Sequence, residues 1–167
     1  MRSWLRRLFI VLTIGGGFVG LLLGVPTLLH AARTDSHYFI EAAVFGPLYA
    51  YAIYLGLRLC DGRTPIWGLV GYFALQIPWI DCPGFSYRFY TGALLGLVLS
   101  DDGYRWAAAI GWLQQFRIAS AAPVMVGVNI VALLLVLVLI TPHLIREANA
   151  VEGSNQSLQP TAGRSEE

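Results

Sequence analysis

Residues 91–106 read TGALLGLVLSDDGYRW, and the fold predicted for the whole chain depends on them. Their apolar core, residues 91–99, is only nine residues long, whereas a membrane-spanning helix needs about 20 mostly apolar residues. The Asp102-Gly103 pair that follows is a strong hairpin-turn signal between two apolar arms. We therefore predict that residues 87–100 do not span a membrane.

The second arm, residues 104–118, leaves two interpretations open. It is either one strand of a β-hairpin lying over a membrane face, or an interfacial helix with Trp106, Ile110 and Leu113 as its apolar stripe. Neither arm alternates cleanly between apolar and polar residues, and the alanines at 107–109 favour a helix. The turn signal favours the hairpin, which is the interpretation we prefer.

The composition indicates that the chain lies in a bilayer. Of the 167 residues, 56% are hydrophobic and 13% are charged, against roughly 25% charged in an ordinary soluble domain. A net charge of +1 without a basic stripe predicts no nucleic-acid partner. The two cysteines, Cys60 and Cys82, are too few for a disulfide scaffold and lie outside any zinc-type spacing.

Apolar runs around this segment predict a membrane protein that is mainly α, with four transmembrane helices. Thr64 and Pro65 supply a good start signal for the third helix, and Pro123 and Pro142 bound the fourth. The spans are predicted at about residues 8–29, 38–59, 65–80 and 124–141. A non-spanning outer segment, residues 81–122, connects the third helix to the fourth.

The distribution of arginine predicts the orientation. Four spans with a cytoplasmic N-terminus place seven arginines inside and four outside, as the positive-inside rule requires. All eleven basic residues are arginine, which is compatible with a GC-rich bacterium, so the predicted location is the inner membrane, as a multi-pass protein. The first run is also compatible with a leader peptide, although such apolar regions usually have about 7–15 residues. The polar residues 143–167 predict a disordered cytoplasmic tail.

Two stripes of small residues predict where the first two helices pack, because close approach of backbones drives helix association in lipid. They are Gly16, Gly20 and Gly24 on the first helix, and Ala42, Gly46 and Ala50 on the second. We expect these stripes to meet within one chain. Homodimerisation is the alternative.

Few polar side chains are candidates for chemistry. Gln76 and Asn129 fall inside predicted spans, where we expect hydrogen bonds across helices. The predicted outer face carries nitrogen and oxygen ligands of the kind that zinc or copper accepts. These weak metal candidates are His30, His37, Glu41 and Asp81. Solvation at the membrane interface is the plainer explanation for all four, so no cofactor and no catalytic residue is predicted.

No nucleotide-binding, hydrolase or zinc-ligand motif is present in the sequence. The leading hypothesis is a non-catalytic structural or interaction component of the membrane, whose partners are the lipid bilayer and a second copy or a larger complex. A small oligomeric transporter or channel, with Pro47, Gln76 and Asn129 along its path, is the alternative. A membrane enzyme or metal-binding protein is the third hypothesis.

Overall fold

The computed structural model describes residues 3–31, 33, 35, 37–118 and 123–142, which form four helices and one four-stranded antiparallel sheet. The helices are α1 (Ser3–Ala31), α2 (His37–Cys60), α3 (Ile66–Ala74) and α4 (Ile130–Pro142). The strands are β1 (Pro78–Cys82), β2 (Phe85–Ser100), β3 (Gly103–Ile118) and β4 (Met125–Asn129). Two π-helical turns, Val11–Gly15 and Gly20–Gly24, interrupt the α-helical geometry of α1.

The helices α1 and α2 form an antiparallel pair. The guanidinium of Arg6, in the first turns of α1, donates hydrogen bonds to the carbonyl oxygens of Leu59 (2.7 Å) and Cys60 (3.0 Å) at the end of α2. A basic side chain satisfies carbonyls there that have no partner within their own helix. The first turn of α1 therefore lies beside the last turn of α2.

The prediction of four transmembrane helices is wrong. Among the described residues, only α1 and α2 are long and apolar enough to cross a membrane by length and composition. The third predicted span, 65–80, is a nine-residue helix followed by β1. The fourth, 124–141, begins with β4 and only then becomes α4. Pairing of β1 with β4 takes residues from both runs, so tertiary contacts override the local apolar pattern.

Residues 85–118 form a hairpin, which excludes the interfacial helix. Strands β2 and β3 pair along their whole length, from Phe85 opposite Ile118 to Ser100 opposite Gly103. The turn consists of Asp101 and Asp102, one residue earlier than the sequence indicated, and Gly103 begins β3 with a φ of +109°. The apolar run of 91–99 therefore belongs to the second part of a 16-residue strand.

The sheet folds over on itself, because β2 is bent. Its first part pairs with β1 and its second part pairs with β4, while β1 and β4 also pair with each other, all antiparallel. These pairings are compatible only if the two parts of β2 run in opposite directions. Gly92 and Gly111 lie opposite each other in the ladder and have φ values of +92° and +136°, which glycine adopts without strain. We call this glycine pair the fold line.

The fold line divides the hairpin into two halves. The proximal half comprises residues 85–91 and 112–118, and the distal half comprises residues 93–100 and 103–110. The ladder register places one row of residues around the folded sheet, in the order Arg105, Val98, Gly127, Trp79, Arg88 and Gln115. Side chains of this row point between the two halves, on what we call the inner face. The alternate residues point away from it, on the outer face.

The core lies between the outer face of the proximal half and the helices. Phe89 is 2% exposed, and its ring centroid lies 5.2 Å from that of Phe45 and 5.8 Å from that of Tyr49, both on α2. The ring of Tyr72 on α3 meets Phe89 edge-on at 6.0 Å. Near the start of α1, the ring centroid of Phe9 lies 5.5 Å from that of Phe73 on α3, in the same hydrophobic cluster.

Candidate functional site

The inner face holds a buried carboxylate that accepts hydrogen bonds from three side chains. Asp81 on β1 is fully buried. Its Oδ2 accepts from Trp79 Nε1 (2.8 Å) and from Arg88 Nε (2.8 Å) and Nη2, while its Oδ1 accepts from the Ser86 hydroxyl. The strand period places Trp79 and Asp81 on the same face, and their ladder partners Arg88 and Ser86 lie opposite them. We call this group the Asp81 cluster.

Neighbouring contacts extend the Asp81 cluster to β3. The guanidinium of Arg88 stacks over the Trp79 ring at 4.4 Å, and Gln115 Nε2 donates to the Ser86 hydroxyl at 2.8 Å. Burial by itself would raise the pKa of Asp81, but hydrogen bonds from Arg88, Ser86 and Trp79 outweigh it and hold the pKa below its ordinary value. Asp81 is therefore an anion that joins three strands.

The sequence-predicted metal candidates do not come together. Both carboxylate oxygens of Asp81 already accept hydrogen bonds within the sheet, and His30 and His37 are exposed at the facing ends of α1 and α2. Glu41, 2% exposed, has its Oε1 3.6 Å from Arg117 Nε. Within the described residues, no three histidine, cysteine or acidic side chains are grouped so that they could hold a metal ion.

Glu41 and Arg117 instead join α2 to the end of β3. Besides the ion pair, Arg117 Nη2 donates to the Tyr38 hydroxyl (3.0 Å), and its guanidinium lies 5.4 Å from the centre of the Tyr38 ring. No local pattern predicts this pairing, because the two residues are 76 positions apart and only the fold brings them together. Both cysteines are free; Cys60 is exposed and Cys82 is half-buried.

The small residues of α1 contact the sheet as well as α2. A Cβ at Gly16 would lie 2.8 Å from Thr91 Cβ, and one at Gly24 would lie 2.9 Å from the Gln114 amide, both in the proximal half. A Cβ at Gly20 would overlap the Tyr49 ring. This stripe therefore does not meet the stripe predicted on α2.

The predicted stripe of α2 is only partly covered. Ala42 is 7% exposed, the nearest neighbour of a Cβ at Gly46 would be Val25 at 3.7 Å, and Ala50 is exposed. The bulky Tyr49, next to this stripe in sequence, fills the space that Gly20 leaves. Other glycines pack the helix pair as well: Gly17 lies against the Tyr49 carbonyl oxygen and Ala52, and Gly56 of α2 lies against Thr13 of α1.

The two polar residues predicted inside spans lie where helices meet strands. Gln76 Oε1 accepts a hydrogen bond from the Thr91 amide (3.0 Å), and the Thr91 hydroxyl lies 2.9 Å from that of Tyr72. Asn129 Oδ1 accepts from the amides of Val131 (3.2 Å) and Ala132 (3.4 Å), so Asn129 is the N-cap of α4. The side-chain amide nitrogens, Gln76 Nε2 and Asn129 Nδ2, are buried without a hydrogen-bond partner among the described residues.

The end of the bundle where α1 begins is basic. A cleft of about 540 Å³ lies there, lined by Ser3, Arg6, Arg7, Ile10 and Cys60. Arg6 is engaged with the α2 carbonyls. The opposite end, where α1 ends and α2 begins, carries the Glu41–Arg117 pair and the exposed residues Arg33, Asp35 and His37.

The outer face of the distal half is apolar and uncovered within the described part of the chain. Ile110 is 94% exposed, Tyr104 77% and Trp106 62%. The large apolar residues of β2 and β4 that share this face are 40–61% exposed. They are Leu95, Leu97, Leu99, Val126 and Val128.

Comparison of the chain with protein-family models, with curated proteins and with solved structures found no match. The function is therefore argued from three features of the molecule: a helix pair with an apolar exterior, a satisfied anionic cluster inside the folded sheet, and an apolar sheet face without a partner. The cluster has no side chain poised as a base and nucleophile pair, since the hydrogen-bonding capacity of Asp81 is directed at its own strands.

Proposed function

We propose that this chain is a small integral membrane protein without catalytic activity, anchored by α1 and α2, that serves as a structural or interaction component of the membrane. In this proposal the helix pair crosses the bilayer, and the folded sheet is the part that the protein presents to its surroundings.

The observation that carries the proposal is the exposure of apolar side chains along both helices. Only 28% of the most apolar 18-residue window of α1 and 39% of that of α2 is buried inside the molecule. Large apolar side chains such as Val11 (67% exposed), Phe18 (56%) and Phe39 (62%) point away from it. Soluble monomers rarely expose contiguous apolar surface above a few hundred Å², so lipid is the solvent that suits this exterior.

Charge supports an orientation for the helix pair. Arg6, Arg7, Arg58 and Arg63 belong to the end where α1 begins and α2 ends. The other end carries only two arginines among the described helix-end residues: Arg33 and Arg117, the second of which pairs with Glu41. Because cytoplasmic segments carry the excess of arginine, the proposal places the beginning of α1 in the cytoplasm and the beginning of α2 outside, as expected for a bacterial inner membrane.

Labelling of the two ends of α2 tests the proposal. One variant keeps Cys60 and carries Cys82→Ser; a second carries Cys60→Ser, Cys82→Ser and His37→Cys. With a membrane-impermeant thiol reagent, we expect the His37→Cys variant to react in intact cells and Cys60 to react only after permeabilisation. The protein should also stay in the membrane pellet after alkaline extraction. Reaction of both positions from the same side, or release by alkali, would contradict the proposal.

A transporter or channel is a second candidate, favoured by the unpartnered amide nitrogens of Gln76 and Asn129. Buried donors of this kind can bind water or a polar solute. The full chain in vesicles would be tested for dissipation of a proton gradient and for potassium release. Flux that disappears in Gln76→Leu would support this candidate. Flux equal to that of protein-free vesicles would rule it out for these ions.

A further inference from the structure

We infer that the outer face of the distal half is a lipid-binding surface, inserted among the acyl chains of the leaflet beside α1 and α2, with Ile110 deepest and the Asp101–Asp102 turn in water. This inference rests on the proposed function and adds to it a defined surface and a defined partner, the phospholipid bilayer.

The first argument is the composition of the face. All its members are uncharged and apolar or aromatic; they are Leu95, Leu97, Leu99, Tyr104, Trp106, Ala108, Ile110, Val126 and Val128. The charged residue of the same stretch, Arg105, points to the inner face, where its Nη2 lies 3.5 Å from Met125 Sδ. No charged side chain of the described strands therefore lies on the outer face of the distal half, as a face in contact with lipid requires.

The second argument is the depth of the fold line. A Cβ at Gly92 would lie 3.0 Å from Leu12 Cδ2 on α1. Leu12 is six residues beyond Arg6, or about 9 Å along the helix axis. If α1 crosses the bilayer with Arg6 at one surface, the fold line lies well inside the hydrocarbon region, and the distal half starts from that depth.

The third argument is the direction in which the distal half runs. Ser100 pairs with Met125, Met125 with Asp81, and Asp81 with Ser86, which lies opposite Arg117. Arg117 contacts Glu41 and Tyr38 in the first turns of α2. The turn at the tip of the hairpin therefore lies at the same end of the molecule as the start of α2.

The dimensions agree with this placement. From Gly92 to Ser100 the strand advances eight residues, or about 26 Å at 3.3 Å each. From Leu12 to Leu29, α1 advances seventeen residues, or about 26 Å at 1.5 Å each. The sheet thus extends from the depth of Leu12 to the level where α1 ends, and its carboxylates at Asp101 and Asp102 reach water.

The order of residues along β3 favours a bilayer over a protein partner. From the tip inward, the outer face reads Tyr104, Trp106, Ala108 and Ile110. Charged turn, then amphipathic aromatic rings, then aliphatic side chains is the sequence of layers from water through headgroups to hydrocarbon. A protein partner requires no such gradient.

Spin labels at graded positions test the inference. The background is the full chain with Cys60→Ser and Cys82→Ser in vesicles of phosphatidylethanolamine and phosphatidylglycerol. Single cysteines replace Tyr104, Trp106, Ala108 and Ile110, and each carries a nitroxide whose collisions with oxygen and with a water-soluble nickel chelate are measured. We expect the oxygen-to-nickel collision ratio to rise from 104 to 108 and to stay high at 110, since positions 108 and 110 lie on either side of the bilayer midplane. Matched labels at Ala107 and Ala109, on the inner face, should break this trend by colliding poorly with oxygen.

Labels at Leu22 and Leu23 on α1 separate this inference from the proposed function. Lipid exposure on α1 together with nickel access at all four sheet positions would overturn the inference and leave the proposed function standing. Nickel access at α1 as well would overturn both. Sheet positions shielded from oxygen and nickel alike would show a protein partner on this face and overturn the inference. Because a label can perturb the sheet, quenching of wild-type tryptophan by brominated lipid is a second measurement, and we expect part of it to be lost in Trp106→Phe.

Discussion

The proximal and distal halves of the hairpin belong to the same two strands, and the same face of those strands has a different environment in each. In the proximal half, Phe89 and Thr91 on the outer face are 2–3% exposed beneath the helices. In the distal half, Leu97 and Leu99 on the same face are 40% and 61% exposed. The fold line at Gly92 and Gly111 is where one environment ends and the other begins.

The difference between the halves is also chemical. On its outer face the proximal half has both aromatic rings and polar groups that hydrogen-bond to the helices. An example is the hydrogen bond that the Tyr49 hydroxyl donates to Gln114 Oε1. The distal half carries only aliphatic and aromatic side chains on the corresponding face. A buried polar group needs a hydrogen-bond partner of fixed geometry, which a helix can supply and lipid cannot. The pattern along β2 and β3 therefore reflects what covers each half.

Removing one large side chain from each half is the strongest test of this contrast. Phe89→Ala should lower the free energy of unfolding by about 3–5 kcal/mol, because it opens a cavity among Phe45, Tyr49 and Tyr72. Leu97→Ala, at an exposed site, should change it by about 1 kcal/mol or less. Denaturant unfolding in detergent measures both. Equal losses would mean that the distal face is as tightly covered as the proximal one.

Backbone strain at the fold line should increase the opening motions of the distal half more than those of the proximal half. Gly92→Ala places a side chain at a φ of +92° and against Leu12, and should cost about 1–3 kcal/mol. Gly71→Ala, in α3 with open space around its Cβ, is the control and should be neutral or slightly stabilising. Amide exchange in Gly92→Ala should quicken in the distal half more than in the proximal half. Uniform quickening would contradict a hinge at this place.

Acid should loosen the contact between β1 and the inner face of the proximal half, where the Asp81 cluster lies. The pKa of Asp81 is lower in the folded protein than its ordinary value, so its contribution to stability is complete above the ordinary carboxyl pKa of about 3.9 and is lost as the pH falls through the folded value. We expect Asp81→Asn to be less stable than wild type at pH 7 and to lose less stability on acidification below pH 4. Parallel stability curves for the two proteins would contradict this role of Asp81.

Sequence patterns predicted the parts of the fold that depend on local periodicity. The uncharged run at 8–29 and the run at 38–59 are helices in the structure, within α1 and α2. The turn signal near Asp102 and Gly103 located the hairpin, and the nine-residue apolar core was too short for a helical span. Each of these signals lies within a stretch of the chain shorter than about 25 residues.

The rest of the fold depends on contacts that no local pattern reveals. The residues of β1 looked like the end of a helix because Pro78 and Trp79 follow an apolar run, and only pairing with both β2 and β4 makes them a strand. The sequence predicts a solvated group at the membrane interface for Asp81, whereas the structure buries it fully. Its donors, Trp79, Ser86 and Arg88, all lie within seven residues. Once residues 78–82 form a strand, strand alternation and pairing with β2 place Asp81 and its donors on one face.

Asn129 lies at the junction between the two environments, since β4 pairs with the distal half and α4 packs into the core. Its position within an apolar run predicted a polar group inside a span, but its side chain caps α4. Asn129→Ala should therefore cost about 1 kcal/mol, and Asn129→Ser, which keeps a capping oxygen, should cost less. Denaturant unfolding in detergent ranks the wild type, Asn129→Ser and Asn129→Ala by their free energy of unfolding. Equal loss in both variants would instead mean that Asn129 acts through its buried side-chain amide nitrogen. That result would favour the polar path that a transporter needs.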